Sequence, residues 1–118
     1  MASKEQNMPQ KSLAEALEET MSFIERALDR ITRNEGAEAE LHNVQAYVLN
    51  ILELVGRDPG IDAAADDLQN AVRFFVVGLI DQGDAPRRGR LMREAYLRFH
   101  EHLTVAHPSE DAQRLGLT

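Results

Sequence analysis

By residue type, the positions best suited to proton-transfer, phosphotransfer or metal chemistry are the four histidines, His42, His100, His102 and His107. Three of them crowd the C-terminal stretch from His100 to His107, with Glu101 among them. The spacing does not suit a metal. At 100° per residue on a helix, His100 and His102 diverge by about 200°. His100 and His107 share a face but stand about 10.5 Å apart along the axis, too far for one tetrahedral zinc. A carboxylate-bridged di-iron bundle needs Glu three residues before His on two helices. The four corresponding positions hold Ala39, Leu97, Phe99 and Thr104. There is no cysteine, which removes thiolate ligands, thiol nucleophiles and disulfides together. Ser12, Ser22 and Ser109 are scattered, and neither a G-x-S-x-G turn nor a Gly-rich phosphate loop occurs. The acidic pairs Asp66-Asp67 and Glu38/Glu40 read as solvated faces. No metal, cofactor or small-molecule substrate is expected, and the chain reads as a non-enzyme.

His42 is the sharper case. On a helix carrying Leu41, Val48, Ile51 and Val55 as its apolar stripe, His42 projects about 140° away, with Ala46 one turn on. The stretch Leu41-His42-Asn43-Val44-Gln45-Ala46 is similar to the segment on which histidine phosphotransfer domains present their nucleophile. There an exposed imidazole on a bundle helix is followed four positions later by a small residue that leaves room for the incoming aspartyl phosphate. The resemblance implies a phosphorelay role with His42 as phosphoacceptor. It is confined to this segment and departs at Gln45, where lysine is usual, and at Ala46, where glycine is usual. Without that lysine a phosphoryl group has weaker electrostatic support.

The elements that must position these residues are helices. Ser12 followed by Glu15 is a capping-box signature, and Leu17, Met21, Ile24, Leu28 and Ile31 then alternate at spacings of four and three. The first helix is predicted over 13–33. Asn34-Glu35-Gly36 ends it, the softest of three breaks, since a helix continuing through it is an alternative. A second helix is predicted over 37–55, with stripe Leu41, Val44, Val48, Ile51 and Val55, ending at Gly56 and the turn Asp58-Pro59-Gly60. A third is predicted over 61–81 on Leu68, Val72, Phe75 and Leu79. Its segment from Val72 to Ile80 has strand-like composition, but it follows an Ala-rich helical pattern and would have no partner strand. Gly78 inside this helix costs about 1 kcal/mol relative to Ala, which close approach of a neighbouring helix would offset. After Gln82-Gly83-Asp84-Ala85-Pro86, Asp84 and Pro86 start a fourth helix that runs to about Ala106 on Met92, Ala95, Phe99, Leu103 and Ala106. Short loops make neighbours antiparallel. The expected fold is all-α, a four-helix up-down-up-down antiparallel bundle over residues 12–107. A disordered N-terminal tail (1–11) and a C-terminal tail (108–118) flank it, with Leu115 and Leu117 either docked or loose.

Composition bounds the function. The 118 residues suffice for one core, and with aromatics at only 5% that core must be aliphatic. The N-terminal stretch lacks the apolar region of a signal peptide. The longest apolar run, Phe74 to Ile80, is far short of the ~20 residues of a membrane span. The chain is expected to be cytoplasmic, without membrane contact. Its net charge of −7 is uneven. Residues 12–84 carry 15 acids and 5 bases, giving −10, whereas residues 85–107 carry 5 arginines and 2 glutamates, giving +3. An acidic body argues against nucleic-acid binding, which relies on phosphate neutralisation.

One surface exceeds what the fold requires. Phe74 and Val77 lie about 120–180° from the stripe of the third helix, Ile80 points off it on the other side, and Tyr47 and Leu54 are off-stripe on the second. A helix that is apolar nearly all round is central or covered, and exposed apolar patches mark interfaces. Arg87, Arg88 and Arg90 form a basic knot beside Pro86, suited to an acidic partner or to the acidic helices of a second copy. The expectation is a small helical-bundle adaptor, regulator or chaperone-like protein that binds a protein partner or itself as a homodimer through Phe74, Val77, Tyr47, Leu54, Arg87, Arg88 and Arg90.

Overall fold

The computed structural model describes residues 11–81 and 84–118, the side chains at 80 and 81 excepted. The expected N-terminal tail, except for Lys11, lies outside the described residues, as do Gln82-Gly83 of the third break and the outward placement of Ile80. Four long helices, α1 (Leu13–Thr32), α2 (Ala37–Leu54), α3 (Pro59–Asp81) and α4 (Ala85–Leu103), are followed by a short α5 (Glu110–Arg114). Sequential neighbours pack side by side, most extensively α1 on α2 and α3 on α4, and the slimmer α1–α4 contact closes an all-α bundle.

Each boundary has a local cause. The Ser12 hydroxyl accepts from Glu15 N (3.1 Å) while Ser12 N donates to the Glu15 carboxylate (3.2 Å), completing the capping box. The break after α1 is real, because Asn34 (φ 57) and Gly36 (φ 63) both adopt the left-handed conformation that no helix continues through. A residue-spanning ion pair, Arg30 to Glu40 at 2.6 Å, ties the two sides together.

Helix α3 starts two residues before its predicted position. Asp58 acts as its cap: the Asp58 carboxylate accepts from Gly60 N (2.7 Å) and Ile61 N (3.3 Å), leaving Pro59 at the first helical position, where its missing N–H costs nothing. Helix α4 stops three residues short of Ala106. Thr104 bonds its hydroxyl to the Glu101 carbonyl (2.7 Å), and its N–H takes the same acceptor (3.2 Å), tightening the last turn.

The C-terminal residues pack onto the bundle. Val55 and Pro108 form an isolated antiparallel bridge, with Gly56 N bonded to His107 O (2.7 Å) and Ser109 N to Leu54 O (2.9 Å). Ser109 caps α5 and also donates to Glu53 O (2.6 Å). Gly116 (φ 83) turns the chain so that Leu117 N bonds to Ala112 O (2.9 Å), a Schellman closure. Ala112 is fully buried, Leu117 docks against the core and Leu115 stays exposed. Thr118 O then accepts from Leu13 N (3.1 Å), satisfying an orphan donor of α1.

The core is continuous and mostly aliphatic, with Phe75 and Phe99 as its aromatic members. Leu17, Met21, Ile24, Leu28 and Ile31 of α1 meet Val44, Val48 and Ile51 of α2, Leu68, Val72 and Phe75 of α3, and Met92, Ala95 and Phe99 of α4. Ile61, Ala64 and Ala65 extend it under the start of α3. Among the described residues no helix is long and apolar enough to cross a membrane.

Candidate functional site

The two faces of α3 have opposite fates. Ile61, Ala64, Ala65, Leu68, Val72 and Phe75 are buried, while Ala63, Asp66, Asp67, Asn70, Arg73, Phe74 and Val77 are exposed. At 100° per residue the exposed set falls within about 60° of Asn70 on either side. Phe74 is 48% and Val77 60% exposed, one turn apart.

Arg88 comes against this patch from α4. Its guanidinium carbon lies 4.9 Å from the centre of the Phe74 ring, a cation–π contact. A Cβ placed on Gly78 would fall on that guanidinium. The glycine is therefore a notch for an arginine side chain of the neighbouring helix. Among the described residues, Nε and Nη1 of Arg88 are buried without a hydrogen-bond acceptor. Together with Phe75, Leu79 and Ala85, Gly78 and Arg88 line a small cavity of about 130 Å³.

The arginine knot is dispersed. Arg87 pairs with Asp84 (3.3 Å) in its own first turn, Arg88 lies over Gly78, and Arg90 is exposed. Tyr47 and Leu54 are half-buried against the core. The Tyr47 ring packs at a tilt of 35° against Phe23, with centroids 5.7 Å apart, and the Arg26 guanidinium lies over Phe23, 5.3 Å from its centroid. Phe74, Val77 and Arg88 thus come together; Tyr47, Leu54, Arg87 and Arg90 do not join them. Leu49 and Leu97 are also exposed; the sequence places Leu97 opposite the stripe of the fourth helix, among Arg87, Arg90 and Arg98. Each stands alone among polar residues on its helix and gives no patch signal.

His42 and Ala46 are both exposed on α2, and His42 makes no hydrogen bond or ion pair among the described residues. The C-terminal histidines separate. His100 reaches across to α1, with Nε2 2.6 Å from a Glu18 carboxylate oxygen; His102 lies over Gly60 at the start of α3; and His107 contributes its carbonyl to Gly56. Among the described residues no group of three His, Asp or Glu could hold a metal ion.

His100 belongs to a polar seam between α1 and α4. Arg93 pairs with Asp29, and the Tyr96 hydroxyl donates to Met21 O (3.3 Å). Burial, reinforced by the carboxylates of Glu25 and Glu18 and opposed by Arg93, pushes the Tyr96 phenol from 10.0 up to about 12. An apolar hollow of about 340 Å³ lies at one end of this seam between Leu13, Leu17, Met21 and Leu103, with Glu18 also among its lining residues.

No protein-family model, curated protein or solved structure matches this chain.

Proposed function

We propose that this protein is a non-enzymatic helical bundle that acts by protein–protein contact, as an adaptor, regulator or chaperone-like protein, and that the outer face of α3 with the Arg88 edge of α4 is its binding surface. The observation that carries this reading is the adjacent exposure of Phe74 and Val77 on a helix whose other face already supplies the core. A lone exposed apolar side chain is ordinary on a protein surface, whereas a contiguous patch with a cation at its edge has the composition of an interface centre. Arginine is among the residue types that dominate binding energy when desolvated by a partner, and phenylalanine is enriched in interfaces.

The test is a native mass spectrum of protein gently purified from its own cell extract, wild type beside a Phe74→Asp/Val77→Asp variant. The wild type is expected to carry a stoichiometric protein partner or a second copy, and the variant to lose it while its helical circular dichroism is unchanged. A variant that unfolds would make these residues part of the core, and one that keeps the partner would move the interface elsewhere; either result refutes the assignment.

A further inference from the structure

The exposed face of α3 is patterned symmetrically about Asn70. Arg73 and Asp67 stand three residues to either side of it, Phe74 and Asp66 four, and Val77 and Ala63 seven. The N-terminal half of the face carries acids and the C-terminal half carries a base and the apolar pair. Among the described residues, Asp66, Asp67 and Arg73 belong to no ion pair; Arg73 only donates to Asn70 Oδ1 at 3.3 Å. This is the pattern of a surface complementary to its own copy turned end to end.

We infer that the partner of this face is a second copy of the same chain, packed α3 against antiparallel α3 across a two-fold axis passing beside Asn70. The inference rests on the protein-contact reading above and adds the occupant. A two-fold interface is isologous, so each contact occurs twice. With the axis at Asn70, the helical angles place Arg73 opposite Asp66 of the second copy along one edge. Phe74, with Arg88 stacked on it, lies opposite Asp67 of the second copy along the other edge. Val77 then meets Ala63 of the second copy, a large residue against a small one at each end. Every unpaired charge of the face gains an opposite charge, and the half-exposed Phe74 ring is covered. Opposed end to end, the two helix dipoles are also favourably aligned. The charge difference between residues 12–84 and 85–107 acts in the same sense, since the arginine edge of α4 in one copy approaches the acidic half of α3 in the other. A face of one helix and its margins is small for an obligate assembly and belongs with weak, reversible dimers.

Sedimentation equilibrium of the full chain tests this with two exposed substitutions. The wild type is expected to dimerise with increasing concentration. Arg73→Asp alone and Asp66→Arg alone each set two like-charged pairs across the axis and should weaken dimerisation by roughly tenfold or more. An equimolar mixture of the two variants restores both pairs and should recover association to within about threefold of wild type.

A second readout uses the absence of native cysteine. Helices packed 8–10 Å apart put the two Asn70 Cα atoms about 3.5–5.5 Å from each other, overlapping the disulfide range, and the two Ala63 Cα atoms about 20 Å apart. Asn70→Cys should therefore oxidise to a covalent dimer much faster than Ala63→Cys. A wild type that stays monomeric at millimolar concentration, a mixture that fails to recover, or equal cross-linking at both positions would overturn the two-fold assignment. If the wild type is monomeric while Phe74→Asp/Val77→Asp still strips a different protein from the native complex, the protein-contact reading survives and only the second copy is lost.

Discussion

The α1–α4 seam and the outer face of α3 are both polar surfaces beside the same core, and they differ in whether their groups are satisfied within the chain. Along the seam Asp29 meets Arg93, Glu18 meets His100, and the Tyr96 hydroxyl meets the Met21 carbonyl. On α3, Asp66, Asp67 and Arg73 belong to no ion pair among the described residues, and Phe74 and Val77 are exposed. The contrast separates a seam whose polar groups meet within the chain from the helix face proposed above as the binding surface.

The largest expected effect separates the two faces of α3 at neighbouring positions. Phe75 is buried and Phe74 is not. Phe75→Ala should lower the urea unfolding free energy by about 3–5 kcal/mol, the usual range for a core aromatic. Phe74→Ala should lower it by about 1 kcal/mol or less, the scale of its stack with Arg88. Comparable losses at both positions would erase the distinction between the buried and the outer face of α3.

The next prediction concerns the seam. The Tyr96 phenol titrates near 12 in the folded chain and near 10 unfolded. Below the unfolded value both states hold the proton and the Tyr96 contact is fully present. Between these values the unfolded state releases its proton first, so stability falls as pH rises toward 12. Tyr96→Phe should flatten that part of the pH profile, and at neutral pH it should cost about 0.5–1.5 kcal/mol for the lost bond to Met21 O. A variant with the same alkaline slope as wild type would show that the phenol is not the responsible group.

The smallest effect is expected from the pair Asp29–Arg93, whose side chains are 45% and 40% exposed. A double-mutant cycle with Asp29→Ala and Arg93→Ala should give a coupling of about 0.2–1 kcal/mol that declines with added salt. A coupling much larger and insensitive to salt would mean that the seam is held by a buried ion pair, and its contrast with α3 would need a different cause.

How much was legible varies with the kind of signal. The stripes of α1 and α2 were readable because apolar residues at spacings of three and four can be hidden from water on one side only. The capping box at Ser12 was readable because both its partners lie within four residues. The start of α3 was placed two residues late, since Asp58-Pro59-Gly60 suits a turn as well as a helix cap and only the acceptor role of Asp58 separates them. Exposure of Phe74 and Val77 followed from their angle to the stripe. The separate courses of the three arginines were not readable, because adjacent residues on a helix point about 100° apart: Arg87 pairs with Asp84, Arg88 lies over Gly78 and Arg90 stays exposed.

By itself the sequence determined a helical, aliphatic bundle, its breaks to within a few residues, an acidic body with a basic fourth helix, and an apolar pair on the far side of α3. These follow from local periodicity and from charges counted along the chain. Only the tertiary structure decided that Arg88 occupies the Gly78 notch on Phe74, that Tyr96 and His100 bind α1, and that residues 109–118 close onto α1 and α2. Each of these joins groups distant in sequence, and which distant groups meet is fixed by how helices rotate and dock as bodies, a quantity that no local spacing encodes.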